Sequence, residues 1–141
     1  MVGLLDPESG DLSYALAGHP PALLRPGGTT DASAIRRLDA VGGPPLGILE
    51  SMTYETARAR IAPGDTLVLT TDGILEARSP DGRQLGETGL IEAMLECPGL
   101  ADCTLRRIEA AVHSFEGGRH AEDDQTLVVL HRDSPPDGRE S

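Results

Sequence analysis

Apolar and polar positions alternate with the period of a strand through the first half of the chain and switch to the period of a helix in the second. Val2 to Leu5 is an apolar run, Pro7-Glu8-Ser9-Gly10 a turn, and Leu12, Tyr14 and Leu16 alternate with polar or small residues, so this stretch predicts a β-hairpin. Ala22-Leu23-Leu24-Arg25 predicts a strand ended by Pro26-Gly27-Gly28, residues 27–35 a loop, and Arg36 to Ala40 a strand end. Gly42-Gly43-Pro44-Pro45-Leu46-Gly47-Ile48 is irregular by composition. Met52 to Ile61, with β-branched and aromatic residues, predicts a strand paired with 66–71. Pro63-Gly64-Asp65 then turns into Thr66-Leu67-Val68-Leu69-Thr70, a short β-branched run that stops at Asp72-Gly73 and reads as a buried strand; Asp65 is a turn residue only.

Beyond Gly73 the period changes. Leu90, Ile91, Met94 and Leu95 share one helical face, and Pro98-Gly99 stops that helix. Leu105, Ile108, Val112 and Phe115 form a second stripe, with Asp102 as the expected N-cap and Gly117-Gly118 as the stop. Leu127-Val128-Val129-Leu130 predicts a last strand ending near His131, and 132–141, with two prolines and alternating charges, a disordered tail. Strands first, then two amphipathic helices and a closing strand, predict an α+β fold in which helices cover a mainly antiparallel sheet system.

Composition narrows the function classes. The 141 residues fit one domain with a real core. Only Tyr14, Tyr54 and Phe115 are aromatic, so that core is mostly aliphatic. A formal net charge of −11 leaves no broad basic field, which argues against nucleic acid and anionic membrane surfaces as partners. All 12 basic residues are arginine. Cys97 and Cys103 match neither a C-x-x-C site nor a disulfide framework, and the sequence reading takes them as free thiols in a reducing compartment. With no span-length apolar segment and no leader pattern at the N-terminus, a cytoplasmic location is expected.

Candidate chemistry sits where acids meet strand ends. Asp72 follows the 66–71 strand, and Glu122-Asp123-Asp124-Gln125-Thr126 runs into the last one. An Asp-Gly after a strand is commonly just a turn. Should the two strands be neighbours, however, Asp72 and Asp123 would converge, and unpaired carboxylates at close range repel unless a proton or cation lies between them. Oxygen ligands of this kind suit Mg²⁺ or Mn²⁺. His19, in the corner Gly18-His19-Pro20-Pro21, reads first as a structural donor to a backbone carbonyl.

Five segments in one order, Ala17-Gly18-His19-Pro20-Pro21, Pro45-Leu46-Gly47, Pro63-Gly64-Asp65, Thr70-Thr71-Asp72-Gly73 with Glu76-Ala77, and Asp123-Asp124-Gln125-Thr126-Leu127, make the chain resemble the PP2C-like (PPM) metal-dependent serine/threonine phosphatases, in particular the bacterial branch of SpoIIE and RsbU-type regulators. The resemblance implies a β-sandwich of two sheets flanked by helices in α-β-β-α layers. It implies a two-metal centre of Mn²⁺ or Mg²⁺, with Asp72 and Asp123 as ligands and Asp124, His19 and Gly73 behind them. It also implies hydrolysis of phosphoserine or phosphothreonine, by in-line attack of metal-activated water, on a regulatory phosphoprotein of the anti-anti-sigma (STAS) type. Eukaryotic members carry Gly-Asp-Ser-Arg where this chain has Gly18-His19-Pro20-Pro21, which puts the third metal associated with that Asp in doubt.

The family's N-terminal Gly-Asp-x-x-Asp motif and the Asp-x-x-Gly turn after it have no counterpart upstream of Ala17, so residues 1–131 resemble the C-terminal part of the domain. By ligand counting, the chain alone is expected to hold one divalent cation weakly, to lack turnover, and to self-associate through uncovered sheet surface and edges. The alternative is a catalytically dead regulatory or scaffolding protein that keeps the partner-binding surface.

Overall fold

The computed structural model describes residues 1–135. Its strands are β1 (Val2–Leu5), β2 (Asp11–Ala15), β3 (Ala22–Arg25), β4 (Arg36–Leu38), β5 (Ala57–Arg60), β6 (Thr66–Thr70) and β7 (Leu127–His131), and its helices α1 (Asp72–Leu75), α2 (Gly86–Leu95) and α3 (Ala101–Phe115), with a 3-10 turn at Ala32–Ala34. Two antiparallel sheets form, one ordered β1-β2-β5 and the other β4-β3-β6-β7. The larger sheet is the middle layer. Leu23 and Val68 point to the helices, where they pack with Ile74, Leu90, Met94 and Ile108. Ala22, Leu24 and Leu67 point the other way, against Leu12, Tyr14 and Leu16 of the smaller sheet and the Ile61 that follows β5. Because β3 and β6 are covered on both faces, their sequences read as continuous apolar runs rather than alternations.

Several expectations are corrected. The strand expected over 52–61 is confined to Ala57–Arg60, and it pairs with β2, not with β6. Both edges of β6 are taken, by β3 on one side and β7 on the other, while β5 turns Ala57 and Ala59 toward the inter-sheet core and leaves Arg58 and Arg60 exposed. The turn expected at Asp72-Gly73 is the start of a single helical turn, α1. The N-cap of α3 is Leu100, without a side-chain cap; Asp102 lies inside the first turn and pairs with Arg106 at 3.1 Å, where a negative charge suits the helix dipole.

The cysteines are also corrected. Cys97 and Cys103 form a disulfide, with Cα atoms 6.1 Å apart, because the Pro98-Gly99 reversal between α2 and α3 brings them to ordinary bridging distance. The compartment argument drawn from free thiols lapses with it. Among the described residues, no helix is long and apolar enough to cross a membrane. The bridged loop also encloses Arg25, only 3% exposed, whose guanidinium donates to the carbonyls of Met94 (2.5 Å), Cys97 (2.6 Å) and Thr29 (2.8 Å). Burial lowers the pKa of this guanidinium from its ordinary value, and the carbonyls at the end of α2 receive a cation where the helix dipole favours one.

Arg132, placed by the sequence in a disordered tail, is instead held by its neighbours. Its backbone N–H donates to Asp65 O and its carbonyl accepts from Gly64 N, while its guanidinium donates to the carbonyls of Ser9, Ile61 and Glu8. Gly10 makes room for it: a Cβ there would lie 2.0 Å from Arg132 Nη1. The rest of that expected tail, 136–141, lies outside the described residues. On the outer face of the smaller sheet, Val2 and Leu4 are exposed at the edge strand β1.

The disulfide generates a direct test. Closing so short a loop constrains the unfolded chain by roughly 2 kcal/mol. Thiol titration of the unreduced, native chain should find no free thiol, and a dithiol reductant should lower the melting temperature by several degrees. Cys103→Ser should melt at the lower temperature with and without reductant.

Candidate metal centre

The two acidic turns hang from adjacent strands. β6 and β7 pair in antiparallel register down to Thr70↔Leu127, so the chain leaving β6 meets the chain entering β7. The ladder gains a further rung, with Thr71 N donating to Thr126 O at 3.1 Å. The Thr71 hydroxyl accepts from Thr126 N (2.9 Å) and donates to Asp124 O (3.4 Å). Two residues on, Gly73 is pressed against the second turn, and a Cβ there would stand 2.2 Å from Asp124 O. Only a residue without a side chain permits this approach. Gly73 therefore acts through its backbone, and the structure brings the Asp72 turn and the Asp123 turn into direct contact.

Asp72 and Asp123 are both exposed, and neither forms an ion pair among the described residues. One Asp123 oxygen accepts from Asp124 N at 2.8 Å, which braces the turn from within. Beside them is a shallow recess lined by Gly73, Glu76, Ala77, Arg78, Glu122 and Asp123. Asp124 contributes its carbonyl to the contact with Thr71 and Gly73.

Next to the recess, directly after Arg78, the chain makes a tight turn that follows α1. The Ser79 hydroxyl donates to Asp81 and accepts from Arg83 N, and Arg83 pairs with Asp81 at 2.8 Å. The Ser79 hydroxyl first, and then Arg83, hold the Asp81 carboxyl below its ordinary pKa. Two arginines tie this region together: Arg78 pairs with Glu122 of the acidic turn at 3.7 Å, and Arg119, after α3, donates to Ser79 O at 2.8 Å. Sequence reasoning singled out neither. Arginines in polar loops carry no pattern of their own, and only their place beside the acids gives them meaning.

The remaining expected residues fall as follows. His19 Nδ1 lies 2.7 Å from Pro20 O, in a corner where Gly18, at φ +66°, packs so closely on Pro45 that a Cβ would meet its ring at 2.4 Å. Pairing of Leu23 with Val68 sets that corner at the same end of the sheet as Asp72, yet His19 is not brought to the acids by any contact. Asp65 is a turn brace whose carboxylate accepts from Gly27 N (2.9 Å) and Ala62 N (2.8 Å).

The donor set suits a hard divalent cation, because both are carboxylates that, among the described residues, pair with no arginine. It is also small. Among the described residues, no group of three or more His, Cys, Asp or Glu is arranged to hold a metal ion. Asp72 and Asp123 could hold one ion whose other positions are filled by water, but they cannot by themselves close a two-ion centre.

The contact at Gly73 predicts that Gly73→Ala will push the Asp124 carbonyl away and cost about 1–3 kcal/mol, measured by chemical denaturation. Gly42→Ala, which meets no atom within 4 Å, should leave stability within about 0.5 kcal/mol.

Comparison with known proteins gives this geometry a family context. The family model described as Stage II sporulation protein E (SpoIIE) matches residues 1–133. Protein IcfG of Synechocystis sp. is 28% identical over 130 residues, a match covering 92% of this chain and 20% of IcfG. Phosphoserine phosphatase RsbP of Bacillus subtilis is 24% identical over 121 residues, covering 84% of this chain and 27% of RsbP. The chain thus spans about a quarter or less of the length of these curated relatives. Among solved structures, the Mn-presoaked phosphatase domain of the cell fate determinant SpoIIE from Bacillus subtilis superposes with a TM-score of 0.73 at 17% identity, over 98% of this chain and 58% of that one. The α+β fold is that of PP2C phosphatase domains.

Proposed function

The chain belongs to the SpoIIE family of PP2C-type protein phosphatase domains, and we propose that it carries part of a metal-dependent active centre that hydrolyses phosphoserine or phosphothreonine on a regulatory protein. The observation that carries this reading is the contact between the Asp72 turn and the Asp123 turn across the end of the β6–β7 ladder. Two unpaired carboxylate-bearing turns pressed together at a sheet end have a purpose if a cation sits between them, and cost stability through repulsion if none does.

In this reading Asp72 and Asp123 hold Mn²⁺ or Mg²⁺, with Asp124 and Gly73 shaping the ligand turns from behind. Bound cations lower the pKa of water and absorb the charge that develops on phosphoryl oxygens. Arg78 and Arg119 then supply positive charge beside an otherwise acidic rim, Arg78 at the recess itself. His19 keeps its corner folded. A protein substrate is supported by the exposed apolar loop carrying Leu46, Ile48, Leu49 and Met52, which is anchored beside the Gly18 corner through Pro45. An anti-anti-sigma protein of the STAS type is the partner class proposed, by family kinship with a phosphoserine phosphatase.

Two acids are too few for a paired centre, so the present chain should bind Mn²⁺ weakly and turn over no substrate, while a chain extended upstream to supply further carboxylates should be active. The test is Mn²⁺-dependent release of phosphate from a phosphoserine peptide by both chains. Asp72→Asn or Asp123→Asn should reduce turnover of the extended chain on the order of 100-fold or more, and Asp65→Asn should leave its Mn²⁺ affinity unchanged. Equal turnover by the 141-residue monomer, abolished by Asp72→Asn, would show that residues given no role above complete the site.

A further inference from the structure

Gln125 stands between the acidic turn and β7, and although the residue is exposed, its amide reaches back onto the protein. Its amide nitrogen donates to Gly73 O at 3.3 Å and to Glu116 Oε1 at 2.8 Å. Both partners are oxygens that accept, so only the NH₂ end of the amide can face them, and its two N–H groups match the two acceptors. Glu116 is unusual in turn. It is 7% exposed, it follows the last residue of α3 as the C-cap, and it forms no ion pair among the described residues. A carboxylate at a helix C-terminus lies in an unfavourable dipole field and, when buried, needs a donor. Gln125 is the donor it has.

From this geometry we infer that Gln125 is a positioning residue for the acid pair, locking the Asp123 turn onto the Asp72 turn, with Glu116 fixing the amide from the end of α3. The inference rests on the proposed metal centre and deepens it. Thr71 and Thr126 form the last rung of the β6–β7 ladder, and beyond it the turn is held by one long hydrogen bond, from the Thr71 hydroxyl to Asp124 O at 3.4 Å, and by the packing of Gly73 on Asp124 O. The Gln125 amide adds a further attachment on the α1 side, through Gly73 O. Together these attachments fix how far the Asp123 carboxylate leans toward Asp72. Divalent coordination distances are short and Mg²⁺ in particular demands near-octahedral geometry, so a turn that swings lowers affinity without removing a ligand. Groups behind metal ligands are worth about 10–100-fold in affinity.

The same arrangement links the helical layer to the site. α3 ends on Glu116, Glu116 holds Gln125, and Gln125 holds the carbonyl of the residue that follows Asp72.

The test has two readouts on the full 141-residue chain. The first is amide hydrogen exchange without metal. Gln125→Ala should accelerate exchange at Thr126 and Asp124 by roughly tenfold, with Val68 and Val129 in the ladder interior unchanged. The second is Mn²⁺ affinity, read from the free-ion electron paramagnetic resonance signal. Gln125→Ala should weaken it about 10–100-fold and leave the number of ions bound at saturation the same. Glu116→Gln retains an acceptor for the amide and should behave as wild type in both readouts, whereas Glu116→Leu should reproduce Gln125→Ala.

Unchanged exchange at Thr126 and Asp124 in Gln125→Ala would overturn the inference, as would equal effects from Glu116→Gln and Glu116→Leu. Should the wild-type chain bind no Mn²⁺ at all, it is the metal-centre reading that fails, and the exchange arm still decides whether the amide locks the turn.

Discussion

β6 has no free side. Its edges are bonded to β3 and β7, one of its faces is covered by helices and the other by the smaller sheet. A strand so enclosed must be apolar on both faces and pair every backbone group within the protein. Much else follows from that confinement. Its end is the only place where the strand can offer a polar side chain to solvent, and Asp72 is there. Because β7 is its antiparallel neighbour, the chain that enters β7 has to pass the same end, carrying Asp123 with it. The two acid-bearing turns come together as a consequence of sheet topology, and the close packing of Gly73 on Asp124 is the condition for that topology to continue past the last rung.

The parts of this arrangement that were legible in the sequence are those fixed by short-range pattern. The hairpin of β1 and β2, the two-faced runs of β3 and β6, the helical stripe Leu105-Ile108-Val112 and the strand character of β7 all follow from periodicity over fewer than 20 residues. Partnership is another matter. The 52–61 stretch looked like a mate for β6 because it precedes it closely, but β6 had both edges committed to strands far away in sequence, and no local pattern records that. The cysteine pair failed for a similar reason. Its spacing fits no known motif, and only the reversal at Pro98-Gly99 makes six residues of separation a bridging distance. Asp102 has the chemistry of a cap and lies two residues inside the position where a cap is needed. At the site, the carboxylates were visible as acids at strand ends; Arg78, Arg119, Gln125 and Glu116 were not, since their significance is purely spatial.

Charge in this molecule is organised at short range. With 23 acidic and 12 basic residues, one would expect cations to be neutralised at once by the surplus of carboxylates. Instead Arg25 and Arg132 donate to backbone carbonyls, three each through their guanidinium groups. A planar fork of fixed donors suits this use better than a point charge, and it leaves carboxylates elsewhere without competition.

Arg132 has a consequence for how the protein is made. Its guanidinium grips carbonyls at Glu8 and Ser9, more than 120 positions earlier in the chain, and its backbone closes on Gly64 and Asp65. During synthesis the first hairpin emerges long before the residue that fastens it, and β6 likewise waits for β7. The nascent chain must therefore carry an open strand edge and an unfastened sheet until the segment through Arg132 has left the ribosome. High sequence separation between partners slows folding and exposes adhesive edges meanwhile. A ribosome stalled just before Arg132 would hold a molecule whose three helices and seven strands among the described residues are all synthesised, but whose two sheets are not yet clasped.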